Sequence, residues 1–322
     1  MTRPGISVIL CTHNGALRLP ATLGYLARQK VDQRFEWEIV FIDNNSQDHS
    51  SEIAEEIWLK YNAPAPLHIY KESAPGKYYA LQTAIAKANY NYFIVCDDDN
   101  GFHADYLSRA FDLLNEHPEV GAAGGRSLLK LPDGKHAPEW LPEDYEPYAL
   151  GKQARYTGYV PLKKGRLWGA GMISRTDLYK ELYAAFPSLL IGVPGEKALN
   201  SEDTEYCARL ILKGYQLYYD ESLILDHMLD DAKLTTKHRD AMNHIYNGSG
   251  GVIDRYRTVI KVQTQKAGWL YKAQVFFINP FRMWWTRNTR SKSRYRNALQ
   301  CLFPQLYGSD RIIEKIRAFA DV

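Results

Sequence analysis

Nowhere in its 322 residues does this chain hold an uninterrupted apolar run long enough to span a bilayer, which excludes a membrane-spanning helix. Cysteine is scarce. Cys11, Cys96, Cys207 and Cys301 lie far apart, without the spacing of a metal site or a disulfide framework. Two of them close apolar runs, where a reduced thiol acts as a small hydrophobe, and a reducing compartment is expected. No G-x-G-x-x-G turn follows the first apolar run and there is no P-loop, which argues against a dinucleotide-binding fold. Met1–Gly5 leads straight into a strand with no signal-type segment before it, so a cytoplasmic chain is the expectation.

What is present is ordinary in bulk and uneven in detail. An apolar share of 45% with 24% charged residues suits a soluble globular protein, and the length suffices for a full core. Twenty-three tyrosines and seven tryptophans are many; such rings serve as ligand platforms or simply fill a core. The net charge of +3 hides an asymmetry. Residues 255–322 hold fourteen Lys and Arg against three acids, a net of +11, which leaves −8 for residues 1–254. An acidic body with a basic tail bears on partners rather than on fold.

The first hundred residues alternate strand and helix. Ile6–Cys11 reads as a strand closed by Thr12, His13, Asn14 and Gly15, and Leu19, Leu23 and Leu26 recur at helical spacing. Glu38–Ile42 is a second strand, ended by Asp43-Asn44-Asn45-Ser46, and Ile53 and Ile57 mark the next helix. Leu67–Tyr70 is a third strand, and a helix carrying Leu81, Ile85 and Ala88 follows Gly76-Lys77. Tyr92–Cys96 is the fourth. This order predicts a parallel α/β sheet with helices on both faces, its polar strand ends gathered along one crevice.

The fourth strand runs into Val95–Asn100, V-C-D-D-D-N. Three adjacent carboxylates repel one another and are costly to desolvate, so an ordered cluster needs a cation. Oxygen ligands suit Mg2+ or Mn2+, usually shared with substrate phosphates. A solvated acidic turn is the plainer alternative.

Beyond this the pattern loosens. A helix is expected over Ala104–Glu116 and a strand over Gly121–Leu129, then a long surface excursion over Pro132–Gly165. Leu167–Ile173 reads as a glycine-bearing strand, Asp177–Ala185 and Ser201–Lys213 as helices, and Gln216–Tyr219 and Leu223–Leu225 as two short strands. Residues 232–322 carry helical patterns. Val275–Trp285 combines Phe276, Phe277, Phe281, Trp284 and Trp285, accompanied by Arg282, Arg287, Arg290, Lys292, Arg294 and Arg296 without an intervening acid. Aromatics beside unneutralised cations suit a helix lying on an anionic bilayer; a terminal helix pair with solvated charges is the alternative. No nucleic-acid motif accompanies the charge, so no nucleic-acid partner is expected.

Several of these loops together resemble the family 2 glycosyltransferases, which have a GT-A fold. Thr12-His13-Asn14 looks like that family's first motif, Asp43-Asn44-Asn45-Ser46 its second, and Gly76-Lys77 the turn before its third helix. Asp97-Asp98-Asp99-Asn100 with His103-Ala104-Asp105-Tyr106-Leu107 looks like its D-x-D block; Gly169-Ala170-Gly171-Met172 with Arg175 resembles its acceptor-side loop, and Glu202-Asp203 its late E-D pair. The match covers roughly residues 5–228, six motifs in the family's order. Asn100 stands where many members have a further Asp, and Gln82 and Ala84 replace an Asn and a Gly often seen there.

The resemblance implies a Rossmann-like, mostly parallel sheet with a helical C-terminal extension: a catalytic domain over residues 1–230 and a helical region over 231–322. It implies transfer of a sugar from a nucleotide diphosphate, UDP by first expectation, to a saccharide or lipid-linked acceptor, with inversion, in polysaccharide or glycolipid assembly. Thr12, Asn14, Asp43, Lys77, Asp97 and Asp98 fall on the donor side, Asp99 and His227 on the Mg2+ or Mn2+ side, and Trp168, Gly169, Ala170 and Gly171 on the acceptor side. Asp203 becomes the general base, with Glu202 orienting the acceptor. A lone His is also compatible with a purely structural role, and Glu202-Asp203 with first-turn acids of a helix. A sugar nucleotidyltransferase and a non-catalytic carbohydrate-binding protein are the alternatives. A peripheral position on the inner face of a membrane would suit the basic tail.

Overall fold

A computed structural model describes residues 3–191, 201–248, 250–264 and 268–321. Strand and helix alternate from the start: β1 (Arg3–Thr12), α1 (Leu19–Ala27), β2 (Glu36–Asp43), α2 (Ser50–Lys60), β3 (Leu67–Lys71), α3 (Lys77–Lys87) and β4 (Tyr90–Asp97). Then come β5 (Asn100–Phe102), α4 (Tyr106–Glu116), β6 (Val120–Lys130), β7 (Gly158–Tyr159), β8 (Ile173–Arg175) and α5 (Thr176–Ala184). α6 (Glu202–Leu212) and β9 (Gln216–Met228) precede a helical run: α7 (Thr236–Gly248), α8 (Gly250–Thr264), α9 (Trp269–Trp285), α10 (Thr289–Leu302), α11 (Pro304–Tyr307) and α12 (Arg311–Asp321). The chain divides into two compact units, Met1–Ala185 with Gln216–Asn243, and Phe186–Tyr215 with His244–Val322.

The first unit is built on a sheet with strand order β3-β2-β1-β4-β8-β6-β9-β5, β7 pairing with β9. β3, β2, β1 and β4 are parallel, as are β6 and β9; β8 runs antiparallel to β4 and β6, and β5 and β7 antiparallel to β9. The expected architecture, a Rossmann-like sheet flanked by helices with a helical C-terminal extension, is thus formed, with short antiparallel strands let in beside the parallel ones. Ile6, Val8, Ile9 and Leu10 are all fully buried, so β1 is covered on both faces, as helices on either side require. Leu19, Leu23 and Leu26 bury the inner stripe of α1 against the same core.

Three local expectations are corrected. Gln216–Tyr219 and Leu223–Leu225 are one continuous strand, because Asp220 accepts hydrogen bonds from the Ser222 amide and hydroxyl (both 2.8 Å) and turns the gap into a bulge. Opposite it the β6 register shifts at Gly125, where a Cβ would lie 1.8 Å from the Leu223 carbonyl oxygen. Of the strand expected over Leu167–Ile173 only Ile173 is extended, since Gly171 takes a φ of +71° and the chain turns. The segment Pro132–Gly165 is no mere surface excursion: Leu141, Tyr148 and Leu150 form a small core with Leu229, and Gln153 is buried.

The second unit packs α8 against α6, α10 and α12, and α9 against α10. At its centre Arg209 and Glu205, one turn apart on α6, are both almost wholly buried, with nitrogen and oxygen 3.2 Å apart. The Tyr256 hydroxyl donates to Glu205 (2.8 Å), the Leu189 amide donates to it (2.9 Å), and the Pro187 carbonyl accepts from Arg209 (2.8 Å). Burial, with Glu205 beside it, pushes the Tyr256 hydroxyl well above its ordinary value.

Candidate active site

Parallel register places the polar strand ends side by side. Thr12 pairs with Asp43 and Cys11 with Asp97, so the ends of β1, β2 and β4 finish level along one edge. Lys77 opens α3 there, and its ammonium lies 2.5 Å from Asp97. The turn before it is held by the Asn44 side chain, which donates to the carbonyls of Glu72 (3.1 Å) and Ala74 (2.7 Å) and accepts from the Gly76 amide (2.8 Å). Asp43 accepts from the Ser46 amide (2.9 Å) and the Ser51 hydroxyl (3.0 Å), and Asn14 accepts from the Gln47 amide (2.8 Å). Asn14 adopts a φ of +52°, a conformation asparagine tolerates, and so braces the first loop against the second.

The three consecutive aspartates point to different partners. Asp98 turns toward α1: it accepts from the Thr12 hydroxyl (2.5 Å) and, in a two-pronged pair, from Arg18 at 2.9 and 2.7 Å. Gly15 leaves room for this, since a Cβ there would lie 1.9 Å from the Thr12 hydroxyl. Asn100 closes the turn, accepting from the Asp97 amide (3.2 Å) and donating to Asp99 (3.1 Å). An aspartate at position 100 could not donate to Asp99 and would repel it; the amide is what this geometry uses.

Asp99 is 4% exposed. The β5–β9 ladder pairs Asn100 with His227 and brings the His227 Nε2 to 3.3 Å from Asp99. The Lys233 ammonium contacts the same carboxylate oxygen. Burial alone would raise the Asp99 carboxyl, but His227 and Lys233 outweigh it and hold it well below the usual carboxylate range. Along β9 the neighbour Asp226 faces the other way, accepting from Tyr25 (2.6 Å) and meeting His103 at 3.2 Å. Burial and that bond push the Tyr25 hydroxyl up to about 12.

The pair Asp99 and His227 fits a hard divalent ion. Its oxygen and nitrogen, 3.3 Å apart, are spaced like two neighbouring ligands of one ion. The second His227 nitrogen, Nδ1, is buried with no hydrogen-bond partner among the described residues. Among the described residues no cluster of three or more His, Cys, Asp or Glu side chains forms a full protein cage. Two protein ligands, with the remainder from phosphate oxygens and water, is the usual Mg2+ arrangement. Beside Asp99 a cavity of about 350 Å³ is lined by Leu17, Arg18, Ala21, Lys130 and Met228 among others.

The loop Trp168–Gly171 docks on the same strand. The Gly171 amide donates to the Val95 carbonyl and the Val95 amide to the Met172 carbonyl, both at 2.9 Å. Its left-handed φ and a Tyr106 hydroxyl 2.4 Å from any added Cβ restrict position 171 to glycine. Trp168 is buried, its Nε1 lacks a partner among the described residues, and the Lys164 ammonium lies 5.7 Å from its ring centre. Trp140 packs against Tyr148 with Arg239 over its ring. Glu202 and Asp203 belong to the second unit, in the first turn of α6; Glu202 accepts from the Ser201 amide (3.1 Å), and Asp203 from the Thr204 amide (2.6 Å).

Arg18 and Lys233 were not singled out by sequence. Each is an isolated cation in a loop or at a helix start, and only the fold reveals its carboxylate.

Comparison with known proteins adds to this geometry. The sequence profile of Glycosyl transferase family 2 matches residues 7–182. A PGL/p-HBAD biosynthesis glycosyltransferase of Mycobacterium bovis (strain BCG / Pasteur 1173P2) is 30% identical over 131 residues, 40% of this chain and 49% of that protein. Glycosyltransferase AglE of Haloferax volcanii is 27% identical over 138 residues, 43% of this chain and 44% of that protein. The chain thus spans about half the length of the curated relatives it matches. Among solved structures, S. aureus TarS 1-349 in complex with UDP superposes with a TM-score of 0.55 at 17% identity, covering 98% of this chain and 88% of that one. Mannosyltransferase PcManGT from Pyrobaculum calidifontis, in complex with GDP-Man and Mn2+, gives 0.50 at 15% identity, covering 99% and 74%. At such identities the two structures speak to the fold alone.

Proposed function

The chain belongs to glycosyl transferase family 2, and from that premise we propose that it moves a sugar, with inversion, from a nucleotide diphosphate to a hydroxyl acceptor. The acceptor in this reading is a saccharide or a lipid-linked glycan under assembly. The observation that carries it is the 3.3 Å approach of His227 to Asp99 at the edge where Asp43 and Asp97 also end.

Asp43 and Thr12 sit where a nucleoside would be gripped, and Asn14 shapes that loop. Lys77 lies where a phosphate would replace Asp97 as its partner. Asp98, tied to Arg18, keeps the donor loop in shape. Asp99 and His227 would hold Mg2+ or Mn2+, with Lys233 moving aside. When bound, such an ion supplies positive charge against the negative charge that builds on the departing diphosphate.

The acceptor hydroxyl attacks the anomeric carbon from the face opposite the diphosphate; the new carbon–oxygen bond forms as the old one breaks. Asp203 takes the hydroxyl proton, and Glu202 orients the acceptor. Asp203 lies in the first turn of α6, where the helix dipole favours negative charge. Trp168 and the Gly169–Gly171 turn shape the acceptor side. The reading extends to a cytoplasmic setting with peripheral contact at the inner face of a membrane.

The test is a screen of nucleotide sugars, UDP-sugars first, for thermal stabilisation with and without Mn2+. Stabilisation by one sugar nucleotide that needs the ion, and that Asp99→Asn abolishes, supports the reading. Equal stabilisation of Asp99→Asn refutes the assignment of this carboxylate.

A further inference from the structure

In α9, Leu270, Phe277, Phe281 and Trp284 recur at spacings of seven, four and three, which puts them in one row along the helix. Phe277, Phe281, Trp284 and the adjoining Trp285 are between 62% and 76% exposed. The opposite side of the helix is already satisfied: Val275 packs with Ala298 and Leu299, and Tyr271 and Met283 close the same cluster. A helix apolar on both sides, with one side left in water, has an outer face that something else covers.

Charge narrows what that is. Between Asp254 and Asp310 the sequence holds eleven Lys and Arg and no acid. The fold corrects part of the sequence reading here, because Asp254, although distant in sequence, is buried against Arg290 (3.3 Å) and Arg294 (3.1 Å) as well as Arg257 (3.2 Å). Those arginines are held structurally. Arg287, Lys292 and Arg296 are exposed and make no ion pair among the described residues.

We propose that the outer face of α9 is a docking surface for an anionic bilayer, drawn there by the positive charge that Arg287, Lys292 and Arg296 add to this unit. The proposal rests on the peripheral contact included in the reading above and assigns the surface that makes it. Trp and Phe favour the headgroup boundary, while exposed Lys and Arg meet anionic headgroups. No helix among the described residues is long and apolar enough to cross a membrane, and α9 carries Lys272 and Arg282, so it lies in the plane of the surface. A second copy of the chain is the poorer occupant, since two such faces would bring unneutralised cations together.

The experiment is co-sedimentation of the full chain, without nucleotide or metal, with vesicles of phosphatidylcholine alone or mixed with phosphatidylglycerol. Binding is expected only to the mixed vesicles and to weaken with salt. F277S/F281S/W284S should lose at least about tenfold in partitioning, and R287Q/K292Q/R296Q about fivefold per cation, with circular dichroism unchanged. R290Q/R294Q should lower stability through Asp254. Wild-type binding to neither vesicle, or undiminished binding of the aromatic triple variant, would overturn the proposal. So would a concentration-dependent dimer that the triple variant abolishes without any vesicle binding, which would make the occupant a second copy. Because no donor is present, failure here leaves the sugar-transfer reading standing, and failure of donor binding leaves this surface standing.

Discussion

Lys233→Met should make the donor-free protein bind Mn2+ more tightly. In the wild type the ammonium contacts the same Asp99 oxygen that an ion would use, in a site where the carboxylate is buried and the lysine only partly exposed. A hydrogen bond to a charged, buried partner contributes about 1.5–3 kcal/mol, and an incoming ion must displace it. Methionine keeps most of the stem and removes the charge, so the competition disappears. At about 1.4 kcal/mol per factor of ten, the Mn2+ dissociation constant should fall roughly 10- to 100-fold. Lys233→Arg keeps the charge and should stay within a few-fold of the wild type. The assay is titration of donor-free protein with Mn2+, following free Mn2+ by electron paramagnetic resonance, alongside calorimetry. Unchanged or weaker Mn2+ binding in Lys233→Met would refute the reasoning, because Lys233 would then not be competing for the Asp99 oxygen.

Asp203→Asn should lower kcat by about 10²- to 10⁴-fold with nucleotide affinity intact, measured by product formation and by calorimetry; near-wild-type turnover would remove Asp203 as the base. Arg209→Met leaves the Glu205 carboxylate buried without its cation and should cost about 3–5 kcal/mol in urea unfolding, whereas a loss under ~1 kcal/mol would mean that water or Tyr256 replaces the arginine. For Asp254, burial would raise its carboxyl, but Arg294, Arg290 and Arg257 prevail and hold it below its ordinary value. A carboxyl lowered on folding stabilises the protein above its unfolded value of about 4 and loses that contribution as pH falls through the lower folded value. The gap in urea midpoint between wild type and Asp254→Asn should therefore narrow below about pH 4; a gap constant with pH would count against the pairing.

The parts of this protein that were legible in the sequence are those written in short stretches. Short apolar runs located β1 to β4 and period-3.6 patterns their helices, and the polar residues after each strand marked the edge where Thr12, Asp43 and Asp97 converge. His227 was legible only by resemblance, since the pairing that delivers it to Asp99 runs through β5, three residues that leave no periodic trace. Contacts between distant side chains were not legible at all. Lys233 is 134 residues from Asp99, Arg18 is 80 from Asp98, and Asp254 reaches Arg294 across 40 residues, so no local pattern announces any of them. The turn found where a strand was expected, over Leu167–Ile173, has a different cause. Its apolar composition satisfies a strand equally well, and only the left-handed φ of Gly171, imposed by its docking on Val95, makes it a turn.

That docking has a bearing on how such a protein diversifies. The Gly171 and Val95 amides are crossed between the turn and β4 two residues before Asp97, so the aspartates and the Trp168–Gly171 wall are riveted to one beam. Neither can drift relative to the other without breaking both bonds. Exchanges at Trp168 or Ala170 therefore re-cut the turn while the aspartates that end β4 keep their coordinates. Under the proposed function, a lineage carrying this joint can sample new acceptors by changing one or two side chains, with the donor end inherited unaltered.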